Sequence, residues 1–177
     1  MERGTAASRG GAPASGRPRK ADPAIYSQIR RQALETKLPE IGRGSVQVVV
    51  MDWHADKGTV TVIASADGSA SVYLSSGGRF TGGGKQAPAI RDAALHAVSL
   101  ATGLKLFFEK TESSPLPSLG DVTFYLTTDA GVYRAVAAEV KLRAGADPLA
   151  GLGGAMQRIV TEYRVSFPKP GTRAATQ

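Results

Sequence analysis

The stretch that decides the fold is residues 45–74, which reads SVQVVVMDWHADKGTVTVIASADGSASVYL. Its first part has apolar residues on both alternating sides: Val46, Val48 and Val50 on one, and Val49, Met51 and Trp53 on the other. Because both sides are apolar, we expect this strand in the middle of a sheet. Turn sequences at 54–58 and 66–68 separate it from two further strands, 59–64 and 69–74. The stretch therefore predicts a three-stranded antiparallel meander.

The remaining elements follow from the change between strand and helix periods. Asp22-Pro23 is typical of a helix start, and Ile25, Ile29 and Ala33 recur at helical spacing up to Pro39. A glycine-rich run at 77–84 leads to a second helix over 88–104, whose apolar face consists mostly of alanine.

The C-terminal part predicts a loop, a hairpin and a last helix. Residues 109–120 are rich in serine and proline, and strands at 122–127 and 132–142 flank an Asp-Ala-Gly turn. Asp147-Pro148 repeats the helix-start pattern. The apolar face of that helix consists of Leu149, Leu152, Met156, Ile159 and Tyr163. We expect the ordered part to end at Pro168.

Together these elements predict an α+β fold of two layers, with a mostly antiparallel five-stranded sheet and the order α-β-β-β-α-β-β-α. This order resembles that of type III secretion chaperone-like domains and, more loosely, of roadblock and profilin-like folds. The resemblance covers element order across 22–167 and implies a fold, not an activity.

Charge and composition divide the chain into three regions. Residues 1–21 carry +4 and residues 168–177 carry +2, whereas 22–167 carry only +1 of the net charge of +7. We therefore predict a disordered basic tail at 1–21, a single α+β domain at 22–167 and a second disordered basic tail at 168–177. Nucleic acid would be bound only through the tails, because the domain has no concentrated basic element.

The absence of cysteine excludes disulfides, thiolate metal sites and cysteine nucleophiles. No apolar stretch is long enough to cross a bilayer, and no secretory signal is recognisable, so we expect a cytoplasmic protein without membrane contact. The sequence also gives no catalytic set, no metal site and no cofactor site. We therefore favour a non-enzymatic role, and the sequence does not decide whether the protein is an enzyme.

Two weaker polar patterns have ordinary structural interpretations. Asp52, His54 and Asp56 alternate, as metal ligands on a strand would, but the turn chemistry of Asp56-Lys57-Gly58 favours a polar hairpin tip. His96 follows Asp92 by one helical turn and is expected on a solvated helix face.

The glycine-rich run is the candidate anion site. Its backbone amides at Gly82, Gly83 and Gly84, with the charges of Arg79 and Lys85, could hold a phosphate. The spacing does not match the Walker A loop, and Gln86 stands where a magnesium-binding hydroxyl is needed. A flexible connector is the alternative interpretation.

The sheet supplies the other candidate. The alternation predicts one face of Val, Ala, Leu and Phe, suited to cover by helices, and a second face of mixed character. The predicted members of this second face are Met51, Trp53, Thr59, Thr61, Ile63, Tyr73, Thr123, Tyr125, Tyr133 and Ala135. We therefore hypothesise a non-enzymatic protein-binding or adaptor module. It would act as a homodimer or with another protein through Met51, Trp53, Tyr73, Tyr125 and Tyr133. Its alternatives are helices that cover this face, and a nucleotide- or phosphate-binding protein using 77–85.

Overall fold

The computed structural model describes residues 23–56, 58–77, 79–81 and 87–168. In chain order the elements are α1 (Pro23–Glu35), β1 (Val48–Ala55), β2 (Gly58–Ser65), β3 (Ala70–Leu74), β4 (Arg79–Thr81), α2 (Pro88–Gly103), a 3-10 turn (Lys105–Phe107), β5 (Glu109–Thr111), β6 (Asp121–Thr128), β7 (Gly131–Ala138), α3 (Glu139–Arg143) and α4 (Ala150–Ser166). The predicted tails lie outside the described residues, apart from Pro168.

The strands form one sheet in the order β4-β3-β2-β1-β6-β7-β5, and every neighbouring pair is antiparallel. This confirms the α+β class and the antiparallel sheet. The sheet has seven strands in the described residues, not the predicted five, because the short edge strands β4 and β5 were not predicted. Strand β1 lies in the interior of the sheet between β2 and β6, as its apolar residues on both sides predict.

The helices cover both faces of the sheet, so the prediction of two layers was wrong. Helices α2 and α4 pack with Val49, Met51 and Phe124 in the main core. On the opposite face, Leu34 of α1 packs with Val50 in a smaller core. The sheet is therefore the middle of three layers.

The hairpin register explains why the predicted composition of the two faces was also wrong. A two-residue turn places Ala55 opposite Gly58, so that Trp53 pairs with Val60 and Met51 with Val62. Directly paired residues point to the same side of a sheet, and a shift of one residue exchanges the faces. Met51 and Trp53 thus share a face with the valines of β2 beneath α2 and α4. The same reasoning places Tyr133 and Ala135 there, while Thr61, Tyr73 and Tyr125 point to the α1 side.

One strand boundary and the buried face of one helix differ from the prediction for local reasons. The last strand ends at Ala138, not at Leu142, because residues 139–143 form the short helix α3. Glu139 in its first turn and Arg143 in its last suit the helix dipole, and they form an ion pair one turn apart. Helix α1 is present, but Ile25 is 51% exposed, and the buried stripe is Tyr26, Arg30 and Leu34.

Helices α2 and α4 match their sequence patterns closely. Ile90, Ala93, Ala94, Ala97 and Ala101 are buried on α2, and small residues there allow the helix to approach the sheet. The apolar face predicted for α4 is buried throughout. Asp147 Oδ1 accepts a hydrogen bond from the backbone N–H of Leu149 at 2.9 Å in the turn before α4, and the helix itself begins at Ala150, later than the predicted start at Asp147-Pro148. None of the helices in the described part of the chain is long and apolar enough to span a lipid bilayer.

Candidate functional site

A buried polar cluster holds α1 against the sheet. Arg30 Nε donates a hydrogen bond to Asp52 Oδ2 at 2.9 Å, and Arg30 Nη2 lies 2.7 Å from the same oxygen. Thr61 Oγ1 donates to Asp52 Oδ1 at 2.5 Å. Since that bond uses the only hydroxyl proton of Thr61, the contact of 2.6 Å between Tyr26 Oη and Thr61 Oγ1 has the tyrosine as donor. The polar groups of these four side chains, which come from α1, β1 and β2, thus form hydrogen bonds with one another.

The same cluster fixes the loop between β5 and β6. Arg30 Nη1 donates to the carbonyl of Ser114 at 2.7 Å, and Tyr125 Oη donates to the carbonyl of Pro115 at 2.5 Å. The Arg30 guanidinium also lies 5.0 Å from the centre of the Tyr125 ring, within cation–π range. Helix α1 and this loop therefore cover the centre of the sheet's second face.

The electrostatics of the cluster are set mainly by burial. Desolvation raises the pKa of the Asp52 carboxyl, and the charge of Arg30 together with hydrogen bonds from Arg30 and Thr61 offsets part of this effect. Desolvation also lowers the pKa of Arg30, but interactions with Asp52 and Tyr125 outweigh it and the net pKa is raised. Burial likewise raises the pKa of the Tyr26 and Tyr125 phenols. The Arg30–Asp52 pair is therefore almost completely shielded from solvent.

The five residues predicted for an interface do not form one surface. Tyr125 is fully buried on the α1 side, where Tyr73 is half-buried in β3. Met51 is 1% exposed beneath the helices, on the same face as half-buried Trp53 and Tyr133. The prediction of an open Tyr/Thr face was therefore wrong, because Tyr125 is buried by packing within the chain.

Met51 and Trp53 line a cleft at the edge of the main core. This cleft, called here the Trp53 cleft, has a volume of about 300 Å³ and opens between β1, α3 and α4. Its apolar lining comprises Met51, Trp53, Val122, Leu142, Ala150, Gly153 and Gly154. Glu139, Arg143 and Gln157 add polar groups, and Arg143 Nη2 is 2.5 Å from Glu139 Oε1. The lining is therefore mixed, with apolar and polar groups side by side, and binding pockets combine apolar surface with a few placed polar groups.

Two glycines of α4, Gly153 and Gly154, line this cleft. Glycine inside a helix costs about 1 kcal/mol relative to alanine. Gly153 packs against Phe124 and Leu142, where an added Cβ would be 3.7 Å and 3.9 Å from them. At Gly154 an added Cβ would meet no atom within 4 Å, so packing inside this chain does not require glycine there. Gly154 leaves space in the cleft at a cost to the helix.

Most of the candidate anion loop lies outside the described residues. Gly82, Gly83, Gly84 and Lys85 lie outside the described residues. Arg79 is exposed in β4, where it pairs with Tyr73 at the edge of the sheet. Phosphate or nucleotide binding by 77–85 stays a prediction.

The histidines occupy ordinary structural positions. His54 Nε2 is 2.8 Å from the carbonyl oxygen of Pro117, so this side chain helps to hold the same loop that Arg30 contacts. His96 is exposed on α2. Within the described residues, no three His, Cys, Asp or Glu side chains come together as potential metal ligands.

No family model, curated protein or solved structure matches this chain.

Sequence reasoning missed the residues that complete both sites. Arg30 was not predicted to be buried, although Asp52 inside an apolar strand was a usable signal, because a buried carboxylate needs a cation or proton. Leu142 was assigned to a strand, so its place in the cleft could not be foreseen. The glycines at 151, 153 and 154 are visible in the sequence, but only the structure separates those on the cleft from the one outside it.

Proposed function

We propose that this protein is a non-enzymatic protein-binding module that takes an apolar side chain of a partner protein into the Trp53 cleft. The observation that supports this most strongly is the half-buried Trp53 beside space left by Gly154. Tryptophan is enriched in binding sites because its large ring adds apolar contact area and its N–H can still meet water or a partner. The polar groups of Glu139, Arg143 and Gln157 would contact the backbone or flanking residues of that partner.

The proposed occupant is another chain and not an undescribed part of this one. Residues 1–22, 82–86 and 169–177 contain no Val, Leu, Ile, Phe, Tyr or Trp. The apolar part of the cleft gains free energy when apolar groups of a ligand displace water from it, and these segments offer few such groups. The proposed setting is the cytoplasm, in keeping with a chain without cysteine.

A peptide display library, selected on the immobilised full-length protein, tests the proposal. We expect enriched peptides to share a bulky apolar residue. Trp53 is the only tryptophan, so its fluorescence reports occupancy directly. Gly154→Leu should fill the cleft and weaken peptide binding at least about tenfold, the equivalent of 1.4 kcal/mol. Gly151→Leu is the matched control, because Gly151 is exposed on the same helix and does not line the cleft.

The outcomes separate the alternatives. Peptides without a shared apolar residue, or equal affinity for wild type and Gly154→Leu, would overturn the proposal. Sedimentation equilibrium of the protein alone distinguishes the kind of partner. A dimer that Gly154→Leu dissociates and Gly151→Leu does not would identify a second copy as the occupant of the cleft.

A further inference from the structure

The loop that leads into β6 ends in a tight turn with a leucine at its corner. The backbone N–H of Asp121 donates to the carbonyl of Ser118 at 3.1 Å, which closes a β-turn with Leu119 and Gly120 at its centre. Gly120 has φ +85°, the left-handed value that the second central residue of a type II turn requires. Leu119 occupies the first central position, and its side chain is 89% exposed. It is the most exposed large apolar side chain in the described residues.

Hydrogen bonds hold this turn on both sides. On one side, Pro117 is buried and its carbonyl oxygen lies 2.8 Å from His54 Nε2. On the other side, the carbonyl of Gly120 accepts a hydrogen bond from the backbone N–H of Glu139 at 2.8 Å. A side chain presented from a fixed backbone loses less conformational freedom on binding than one on a mobile loop. Leu119 is therefore prepared to enter an apolar site on another molecule.

The same turn is next to the Trp53 cleft. Glu139, which bonds to Gly120, lines the cleft, and so does Val122, three residues after Leu119. Three residues of chain span at most about 11 Å. Leu119 does not line the cleft of its own chain, in keeping with its exposure. An exposed apolar side chain and a cleft suited to one thus lie side by side.

We propose that two copies of this protein associate about a two-fold axis and that Leu119 of each copy enters the Trp53 cleft of the other. The inference rests on the function proposed for the cleft and names a second copy as its partner. In a two-fold pair every contact from one copy to the other is repeated in reverse. Because Leu119 and the cleft are neighbours, an axis between them allows both contacts to form at once.

The surroundings of the two elements suit such an exchange. The cleft, at about 300 Å³, is larger than a leucine side chain. Residues 113–120 carry no charged side chain, so the loop approaches the paired Glu139 and Arg143 on the rim without like-charge repulsion. Val140, which follows Glu139 on α3, is 72% exposed and adds apolar surface beside the rim.

Sedimentation equilibrium of the full-length protein tests the exchange with variants on its two sides. Leu119→Ser removes both leucines from the pair, and Gly154→Leu fills both clefts. Each should weaken self-association at least about a hundredfold, since burial of one leucine accounts for about tenfold or more. Leu106→Ser is the control for the first variant, because Leu106 is 78% exposed and does not line the cleft. Gly151→Leu is the control for the second.

A mixture of the two variants tests the reciprocity. One copy then has an intact cleft and the other an intact Leu119, so a heterodimer with a single contact can form. It should form about tenfold more tightly than either variant associates with itself. Its formation would also show that both variants are folded.

The outcomes separate this inference from the proposed function. A wild-type protein that stays monomeric, or a dimer that Leu119→Ser leaves intact, would overturn the exchange. So would a mixture that associates no better than its components. Peptide binding that still depends on Gly154 would then leave the function of the cleft standing. If Gly154→Leu changed neither self-association nor peptide binding, both proposals would be overturned.

Discussion

Arg30 on α1 and Asp52 on β1 form an ion pair in which both side chains are almost completely buried, with Nη2 2.7 Å from Oδ2. The pair joins an N-terminal helix to the middle of the sheet and also fixes the loop at Ser114 and Pro115. It explains why α1 turns Arg30 inward and leaves Ile25 exposed. A lone carboxylate on the buried face of β1 would be far more costly than a paired one.

Removal of the cation should destabilise the fold strongly. We expect Arg30→Met to lower the free energy of unfolding by about 3–5 kcal/mol, because Asp52 remains buried without its partner. Urea denaturation monitored by circular dichroism measures the change. The neighbouring Arg31→Met is the control, since Arg31 is exposed and its loss should stay within about 0.5 kcal/mol. Equal effects of the two variants would contradict a structural role for the pair.

Asp52 should also leave a signature in the pH dependence of stability. Burial raises the pKa of its carboxyl above the usual 3.8, so the folded protein binds this proton more tightly than the unfolded chain. The stabilisation from this group is full below that value and is lost as pH rises through the folded pKa. Stability of wild type relative to Asp52→Asn should therefore fall between acidic and neutral pH. Urea denaturation across that range tests the sign, and a relative stability that rises would show that Arg30 dominates over burial.

Alanine at two helical glycines should stabilise the protein. At Gly151 and Gly154 an added Cβ meets nothing within 4 Å, so the gain is the difference in helix propensity, about 0.5–1 kcal/mol for each. Thermal denaturation of Gly151→Ala and Gly154→Ala measures it. A loss of stability at Gly154 would mean that the glycine has a packing role inside the chain.

The turn between β1 and β2 should be much less tolerant. Gly58 has φ +118°, and an added Cβ would collide with Ser75 Oγ, which accepts the backbone N–H of Thr59 at 2.8 Å. Gly58→Ala should cost about 1–3 kcal/mol. Gly120 has φ +85° with open space around it, so Gly120→Ala isolates the conformational cost from the collision. Chemical denaturation should rank Gly58→Ala as the more destabilising, and the reverse order would argue against the steric conflict at Ser75.

The sequence predicted an element well where its own apolar pattern determines which of its residues are buried. The alanine face of α2 and the apolar stripe of α4 need only helical periodicity, and both occur as expected. The interior position of β1 followed from its apolar residues on both sides. Such patterns are local, so no knowledge of distant partners is needed.

What the sequence did not predict depends on distant partners. The residues of β2 that share a face with Trp53 depend on its pairing with Val60, and a turn one residue longer would place the other set of β2 side chains there. The burial of Arg30 depends on a carboxylate in another element. The Trp53 cleft combines β1, α3 and α4. Helix α3 was not predicted, because the alternation of apolar residues in β7 continues through its sequence.

The central seam of the sheet has a consequence for how the chain folds. Strands β1 to β4 are neighbours in sequence, and so are β6 and β7, but the pairing of Val48 with Thr127 joins the two groups across α2 and the following loop. Contacts between residues far apart in the chain require loop closure before they stabilise anything, which slows folding. We expect the two groups to assemble early and the joining of β1 to β6 to limit the folding rate. Nascent chains on the ribosome would then expose the edge of β1 until β6 has been synthesised.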